Sequence, residues 1–253
     1  MIDAHIHLTD ERFDPDRESL LRQARNAGVR SFFCVSVRPR EWQKVIDLAE
    51  TRDDVRPFIG THPWYASQHD EALLREFLTR HPSAGIGETG LDAVKGDPEQ
   101  ERAFESQLIA AAEFNRPCVV HCVKSFDRVA ALLKTLKKKP PALLFHGFSG
   151  TVQQAEFLIR FNAYFSFSGS LLNENRSKSR AVFAALPADR LLTETDAPDM
   201  RPPEKFRYPD DLNRNLPAAL ALIVPEMAAI RKTDFSDLVF LLRRNAERFL
   251  SGK

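Results

Sequence analysis

Two histidines near the N-terminus have the spacing of a shared metal site. His5 and His7 lie two residues apart in a predicted β-strand, so both side chains point to one side and Ile6 points to the other. Two imidazoles on one side can bind a divalent metal ion together. Asp3 has the same parity, one layer deeper, where it could orient a ligand histidine. A His-x-His tripeptide alone also fits exposed or hydrogen-bonded histidines, so it needs support from the rest of the chain.

Four further side chains that can bind metals fall at the ends of other predicted strands. Glu88, His121 and His146 close the fourth, fifth and sixth apolar runs, and Asp196 follows the eighth. In a barrel of parallel strands these ends converge on one mouth. Four histidines and two carboxylates can divide between two metal ions, with Glu88 as a bridge and a shared hydroxide as the nucleophile. The alternative, a buried polar network without metal, would have to desolvate two carboxylates with no cation beside them.

The elements that would position these residues alternate along the chain. Short apolar runs rich in β-favouring residues alternate with longer stretches of helical periodicity. The runs are residues 2–7, 29–37, 55–60, 84–88, 117–121, 142–146, 163–168 and 190–195. Eight strands with eight or nine helices in about 250 residues predict a (β/α)8 TIM barrel, with residues 1–253 as a single domain. A dinucleotide-binding open sheet would carry a glycine-rich loop after its first strand, whereas the first glycine here is Gly28.

Other catalytic chemistries fit the sequence less well. The chain contains neither a Gly-x-Ser-x-Gly nucleophile motif nor a P-loop. Cys122 adjoins His121, but neighbouring strand residues point to opposite faces, so its thiol should face the helices. Water activated by a metal ion is the mechanism that remains.

Composition and charge exclude several classes of protein. A net charge of +1, from 36 basic and 35 acidic residues, excludes a polycationic nucleic-acid binder, so affinity for DNA must come from a local patch. No apolar stretch reaches the ~20 residues of a membrane helix, and the acidic start does not resemble a signal peptide. Three cysteines without a Cys-x-x-Cys pair fit a reducing compartment. We therefore expect a cytoplasmic protein with no membrane association and no obligate protein partner.

Short motifs spread along the chain carry a resemblance to a known family. They are Asp3-Ala4-His5-Ile6-His7, Gly60-Thr61-His62-Pro63-Trp64, Ile86-Gly87-Glu88-Thr89-Gly90-Leu91-Asp92, Val120-His121, His146-Gly147-Phe148-Ser149-Gly150, Glu194-Thr195-Asp196-Ala197-Pro198 and Asn245-Ala246-Glu247-Arg248-Phe249. Together they resemble the TatD family of metal-dependent hydrolases, within the amidohydrolase-like barrels. The resemblance covers nearly the whole chain, and its specificity comes from the combination of motifs.

The resemblance implies a ligand set and an activity. The implied metal ligands are the same six residues that fall at strand ends, namely His5, His7, Glu88, His121, His146 and Asp196. The implied activity is that of a metal-dependent hydrolase of ester bonds, a deoxyribonuclease that often removes nucleotides from an end. Asp196 would be the general base that takes the proton from the metal-bound water, and Glu88 the second catalytic carboxylate.

Two departures from the family pattern concern the substrate. The family often has an arginine two residues after the fifth-strand histidine, where this chain has Val123 followed by Lys124. The loop that often reads Asn-Glu-Pro is Asn215-Leu216-Pro217 here, so a carboxylate is missing. A basic phosphate contact has moved to Lys124, or the substrate preference differs.

Cations and aromatic rings near the predicted mouth could hold a nucleic-acid strand. The residues that we expect to contact the substrate are His62, Trp64, Lys124 and Arg201. Cations can bind the phosphates while aromatic faces stack a base. Further cations of the loop over residues 199–215 are Lys205, Arg207 and Arg214. The acidic residues Asp199, Glu204, Asp210 and Asp211 largely cancel this charge, so a solvated loop is an equal alternative.

The primary hypothesis is a phosphodiesterase acting on DNA or another nucleotide-containing substrate, with two divalent metal ions as cofactors. The ligand types suit zinc or manganese better than magnesium, and the sequence leaves a third ion open. An alternative is a hydrolase of a small amide or lactone, which would use the same hydroxide without Lys124 and the loop arginines. A further alternative is a barrel with a structural metal that acts as a binding partner.

Overall fold

Eight parallel strands form the sheet of a barrel. The computed structural model describes residues 1–210 and 212–252, so Asp211 of the charged loop lies outside the described residues. The strands are β1 (Ile2–Ile6), β2 (Ser31–Val35), β3 (Val55–Ile59), β4 (Gly85–Asp92), β5 (Cys118–Val123), β6 (Leu143–Phe145), β7 (Ala163–Phe167) and β8 (Leu191–Thr193). They pair in sequence order. Between β8 and β1, the backbone N–H of Asp196 donates to His5 O (2.9 Å) and the Thr193 hydroxyl donates to Ile2 O (3.1 Å).

The helices alternate with the strands, which confirms the predicted (β/α)8 barrel. They are α1 (Arg17–Asn26), α2 (Trp42–Glu50), α3 (Glu71–Arg80), α4 (Gln100–Glu113), α5 (Phe126–Thr135), α6 (Val152–Ile159), α7 (Ser177–Ala185), α8 (Leu220–Arg231) and α9 (Phe235–Ser251). Within the described part of the chain, no helix is long and apolar enough to cross a membrane.

Two apolar layers hold the barrel together. The larger layer fills the space between the strands and the helices, with Trp42 and Phe104 fully buried in it. The smaller layer fills the barrel interior, where the rings of Phe33 and Phe58 meet Phe249 of α9 at centroid distances of 5.9 and 6.0 Å. This rigid packing leaves the other end of the barrel, the C-terminal ends of the strands, for polar side chains.

Strand β4 is longer than the sequence pattern predicts, and this extension concerns the candidate site directly. Its pairing with β5 shifts register between Ile86 and Thr89 and then continues to Asp92. Gly90 has φ +142°, and a Cβ there would lie 2.0 Å from the carbonyl oxygen of His121. Only glycine permits this approach of the two backbones, so a residue that normally interrupts a strand lets this one continue.

Candidate metal centre

Glu88 lies at the centre of a histidine cluster, and its two carboxylate oxygens face different histidines. Oε2 is 3.2 Å from Nε2 of His5 and 3.7 Å from Nε2 of His7. Oε1 is 2.8 Å from Nδ1 of His121 and 2.8 Å from Nε2 of His146. The ends of β1, β4, β5 and the segment after β6 thus meet at one point. A carboxylate placed in this way can bridge two metal ions, one on each histidine pair.

Asp196 joins the first of these pairs. Its Oδ1 lies 3.5 Å from Nε2 of His5 and 3.3 Å from Nε2 of His7. Ligand atoms of these three residues all lie within 4.8 Å of one another, a spacing that could hold a metal ion. The structure therefore brings together all six side chains that the sequence placed at strand ends, and it divides them into two sets that share Glu88.

The electrostatics of the cluster favour cations. Burial would raise the pKa of Glu88, but the surrounding histidines, His146 foremost, outweigh burial and hold the pKa well below its usual range. Burial would lower the pKa of His146, yet Glu88 beside it raises that pKa to about 10. Burial would also lower the pKa of His7, but the hydrogen bond and the charge of Asp196 raise that pKa to about 9. The ionised carboxylates thus stabilise positive charge in this buried cluster. Protons and divalent metal ions compete there for the histidine nitrogens.

The imidazole rings fit the role of metal ligands. Both ring nitrogens of His5 are buried; Nδ1 has no hydrogen-bond partner among the described residues, and Nε2 faces the carboxylate of Glu88 at 3.2 Å. Burial, followed by the charge of His146, lowers the pKa of His5 to about 4, so its ring is neutral at pH 7. In His7, Nδ1–H can donate to the carbonyl oxygen of Val35 at 3.1 Å, which leaves Nε2 for a metal ion. The donor set of this cluster therefore fits divalent metal ions.

Comparisons with known proteins agree with this geometry. The family model described as TatD related DNase matches residues 2–251. The chain belongs to this family. The 3'-5' ssDNA/RNA exonuclease TatD of Erwinia tasmaniensis is 33% identical over an alignment of 264 positions, gaps included. The alignment covers 99% of this chain and 100% of that protein. An Escherichia coli protein named uncharacterized metal-dependent hydrolase YjjV is 33% identical over 207 residues, 79% of this chain and 80% of that one.

The fold comparison gives the same assignment. The crystal structure of the TatD homologue YjjV from Escherichia coli superposes with a TM-score of 0.89 and 29% identity, over 99% of this chain and 97% of that one. Membership of the TatD-related DNase family, predicted from the motifs, is therefore confirmed.

His62, which the sequence analysis predicts to contact the substrate, lies against the histidine cluster itself. Its Nε2 lies 3.2 Å from Oε1 of Glu88 and 3.2 Å from Nδ1 of His121. The backbone N–H of Trp64 donates to Nδ1 of His62 (3.1 Å), and burial lowers the pKa of His62, so the neutral ring carries its proton on Nε2. In this tautomer Nε2 is a donor and cannot bind a metal ion, although His62, Glu88 and His121 are close enough to form a metal-binding group.

Asp92 positions two site residues in this TatD-family chain, although sequence reasoning did not single it out. Its Oδ2 accepts a hydrogen bond from Nε1 of Trp64 (2.8 Å) and lies 3.3 Å from Nε2 of His121. Its other oxygen accepts from the backbone N–H groups of Val94 and Lys95. Such a carboxylate orients a ligand histidine and fixes its tautomer, here with Nδ1 of His121 turned toward Glu88. The sequence signal that could have identified Asp92 is its position at the end of the motif that contains Glu88.

Replacing Asp92 with asparagine should weaken metal binding by about 10-fold, because His121 loses the charge that orients it. The measurement is competition for Zn²⁺ or Mn²⁺ against a chelating dye. Asp53→Asn, at an exposed position far along the chain from the cluster, is the matched control and should bind metal like the wild type. Equal affinities of the two variants would show that Asp92 does not orient a ligand.

Asp3 does not orient a histidine ring as the sequence parity predicts. The pairing of β1 with β2 shifts register between Asp3 and Ile6, so strict alternation does not hold from Asp3 to His5. Asp3 instead accepts hydrogen bonds from the backbone N–H and the hydroxyl of Thr195, at 2.9 and 2.5 Å. This buried contact fixes β1 to the segment that leads into Asp196.

Glu194 is a second buried carboxylate that sequence reasoning missed. Its Oε1 accepts from the backbone N–H of Gly147 (2.7 Å) and lies 4.0 Å from Nδ1 of His146, and its Oε2 accepts from the hydroxyl of Ser166. Burial raises the pKa of Glu194 to about 7. This network holds the loop after β6, and with it His146, against the end of β8.

The loop cations have mostly structural contacts. Arg214 is buried and forms ion pairs with Asp16 and Asp210, both at 2.7 Å. Arg207 donates to the carbonyl oxygen of Pro202. Arg201 donates to the side chain of Asn213. All three arginines of this loop thus have contacts that hold the loop: Arg214 pairs with acidic side chains, Arg207 donates to the backbone and Arg201 donates to an amide oxygen.

Two predicted substrate residues are open to solvent. Lys124 is exposed after β5, with φ +50°. Trp64 is 39% exposed, and Nζ of Lys95 lies 3.8 Å from the centroid of its ring. The side of the barrel that carries the histidine cluster therefore presents an exposed cation and a partly exposed aromatic ring, one face of which lies against Lys95.

Proposed function

We propose that this chain is a divalent-metal-dependent phosphodiesterase that hydrolyses DNA or a related nucleotide-containing strand with two metal ions at the mouth of its barrel. The observation that carries the proposal is the division of the Glu88 oxygens between two histidine pairs. The proposed ligands are His5, His7, Glu88, His121, His146 and Asp196. Family membership supports the reaction class, and the family match over residues 2–251 supports one catalytic domain over residues 1–253.

The side chains divide the work of the reaction. When bound, the metal ions activate the attacking water and stabilise the charge that develops on the phosphate. Asp196 takes the proton from the attacking water, which it can do because it stays ionised, and it lies at the solvent side of the cluster with 17% of its side chain exposed. His62 donates its Nε2–H to a phosphate oxygen. Trp64 offers its ring to a base, and Lys124 and Arg201 contact phosphates.

Single-stranded nucleic acid is the proposed substrate class. The relative from Erwinia tasmaniensis is named a 3'-5' ssDNA/RNA exonuclease and is similar to this chain over its whole length. A single strand also suits a site with an exposed aromatic ring, because its bases are free to stack on protein. We place the protein in the cytoplasm, which agrees with its three free cysteines.

Metal removal tests the proposal. Protein dialysed against a chelator should lose hydrolysis of single-stranded oligonucleotides and regain it when Zn²⁺, Mn²⁺ or Mg²⁺ is added, with about two ions bound per chain by elemental analysis. The same preparations are offered a panel of small amides and lactones. Full activity after metal removal would contradict the metal mechanism, and cleavage of lactones or amides with intact oligonucleotides would replace the phosphodiesterase by the alternative hydrolase.

A further inference from the structure

A groove opens beside the metal centre, between the loop after β5 and the loop after β6. Its volume is about 470 Å³, within the range of ~300–1,000 Å³ that ligand sites occupy. His146 is among its lining residues, so the groove adjoins the metal centre. Lys124 and Ser125 line it from the loop after β5, and Phe148 and Ser149 line it from the loop after β6. None of the predicted ligands other than His146 lines it.

The aromatic wall of the groove is held in place. The ring of Phe148 packs on Phe165 at a centroid distance of 4.6 Å and stays partly exposed. A Cβ at Gly150 would lie 2.7 Å from Cζ of Phe148, so the ring lies directly over the glycine backbone. An aromatic ring that is fixed by its neighbours can stack a base without losing side-chain entropy on binding.

The loop after β5 contributes a free cation to the lining. Lys124 is exposed and has no hydrogen bond or ion pair to any other described residue. The other basic residue of the lining, Arg128, donates to Glu101 and is already neutralised. One acidic side chain, Asp127, is among the lining residues that the structure describes. An unpaired ammonium group and an aromatic ring in one groove match the phosphate and the base of one nucleotide.

We propose that this groove binds the nucleotide next to the scissile phosphodiester of a single strand, with its base on Phe148 and its phosphate on Lys124. The inference rests on the proposed function. It adds the path by which the nucleic-acid strand leaves the metal centre. Duplex nucleic acid does not fit this arrangement, because its bases are already stacked on each other and would have to be extruded. The groove therefore selects for unpaired strand ends.

Two variants and two substrates test the groove. Phe148→Leu keeps an apolar side chain without the ring, and Lys124→Gln removes the charge. Each should lower kcat/KM for a single-stranded oligonucleotide by about 10-fold. With the same strand carrying an abasic nucleotide next to the scissile phosphodiester, Phe148→Leu should stay within about twofold of the wild type on that strand because there is no base to stack, whereas Lys124→Gln should again lose about 10-fold. The controls Phe240→Leu and Lys138→Gln, at exposed positions outside the groove, should change neither substrate.

Three outcomes would overturn the inference or separate it from the proposed function. Cleavage of the intact strand by Phe148→Leu and Lys124→Gln at the wild-type rate overturns it, and so does an equal loss by Phe148→Leu on the intact and the abasic strand, which indicates a structural role. If the wild type cleaves no phosphodiester, the binding of a fluorescent single strand is measured by anisotropy. Weaker binding by Phe148→Leu then supports the groove although the proposed reaction fails, and no binding to the wild type overturns both.

Discussion

Replacing Glu88 with glutamine should lower kcat/KM for phosphodiester substrates by at least ~10³-fold. Glutamine keeps the size of the side chain but has one neutral oxygen in place of two charged ones, so it cannot bridge two metal ions. The measurements are oligonucleotide hydrolysis at saturating metal and the number of ions bound per chain, which should fall by at least one. Circular dichroism should show the spectrum of the folded barrel, since the apolar layers lie elsewhere in the fold.

The matched control for this variant is Glu247→Gln. Glu247 is 61% exposed on α9, and among the described residues its ion pair is with Arg243 alone, so the activity and the metal content of this variant should equal those of the wild type. A Glu88→Gln protein that keeps both ions and cleaves within about tenfold of the wild-type rate would remove Glu88 from the bridging position.

Replacing Arg214 with alanine should lower the free energy of unfolding by ~3 kcal/mol. The side chain is 3% exposed and donates to both carboxylate oxygens of Asp16 and both of Asp210. It also donates to the carbonyl oxygen of Arg12 (2.6 Å). Alanine leaves the largely buried carboxylate of Asp210 without its cation and frees the loop after β8 from the loop after β1. Urea denaturation followed by circular dichroism gives the change.

The control for this prediction is Arg243→Ala. Arg243 is 73% exposed and forms a single ion pair with Glu247 at 3.0 Å, so its loss should change the free energy of unfolding by less than ~0.5 kcal/mol. Similar unfolding midpoints for the two variants would mean that the Arg214 network does not stabilise the loop. Because Asp196 begins this loop, Arg214→Ala should also reduce hydrolysis, whereas Arg243→Ala should not.

The sequence by itself determined the barrel and the set of polar side chains that meet at its mouth. Short apolar runs in the strands and a period of 3.6 residues in the helices are local properties, so they can be read without the fold. Once eight strands were assigned to a parallel barrel, topology alone brought the ends that carry Glu88, His121 and His146 together with the His5 strand. The motifs added the family, which the comparisons confirm.

Only the tertiary structure decided how these residues are used. The division of the Glu88 oxygens, the tautomer of His62 and the contact of Asp92 with His121 depend on which distant atoms end up within hydrogen-bonding distance. The register shift in β1 moved Asp3 away from its predicted role. The structure also decided which cations are paired: Arg214 forms ion pairs that hold the loop after β8, whereas Lys124 has no ion pair among the described residues. Counting charged residues gives the net charge of a segment. Which of those residues form ion pairs depends on how loops that are far apart in the chain pack together.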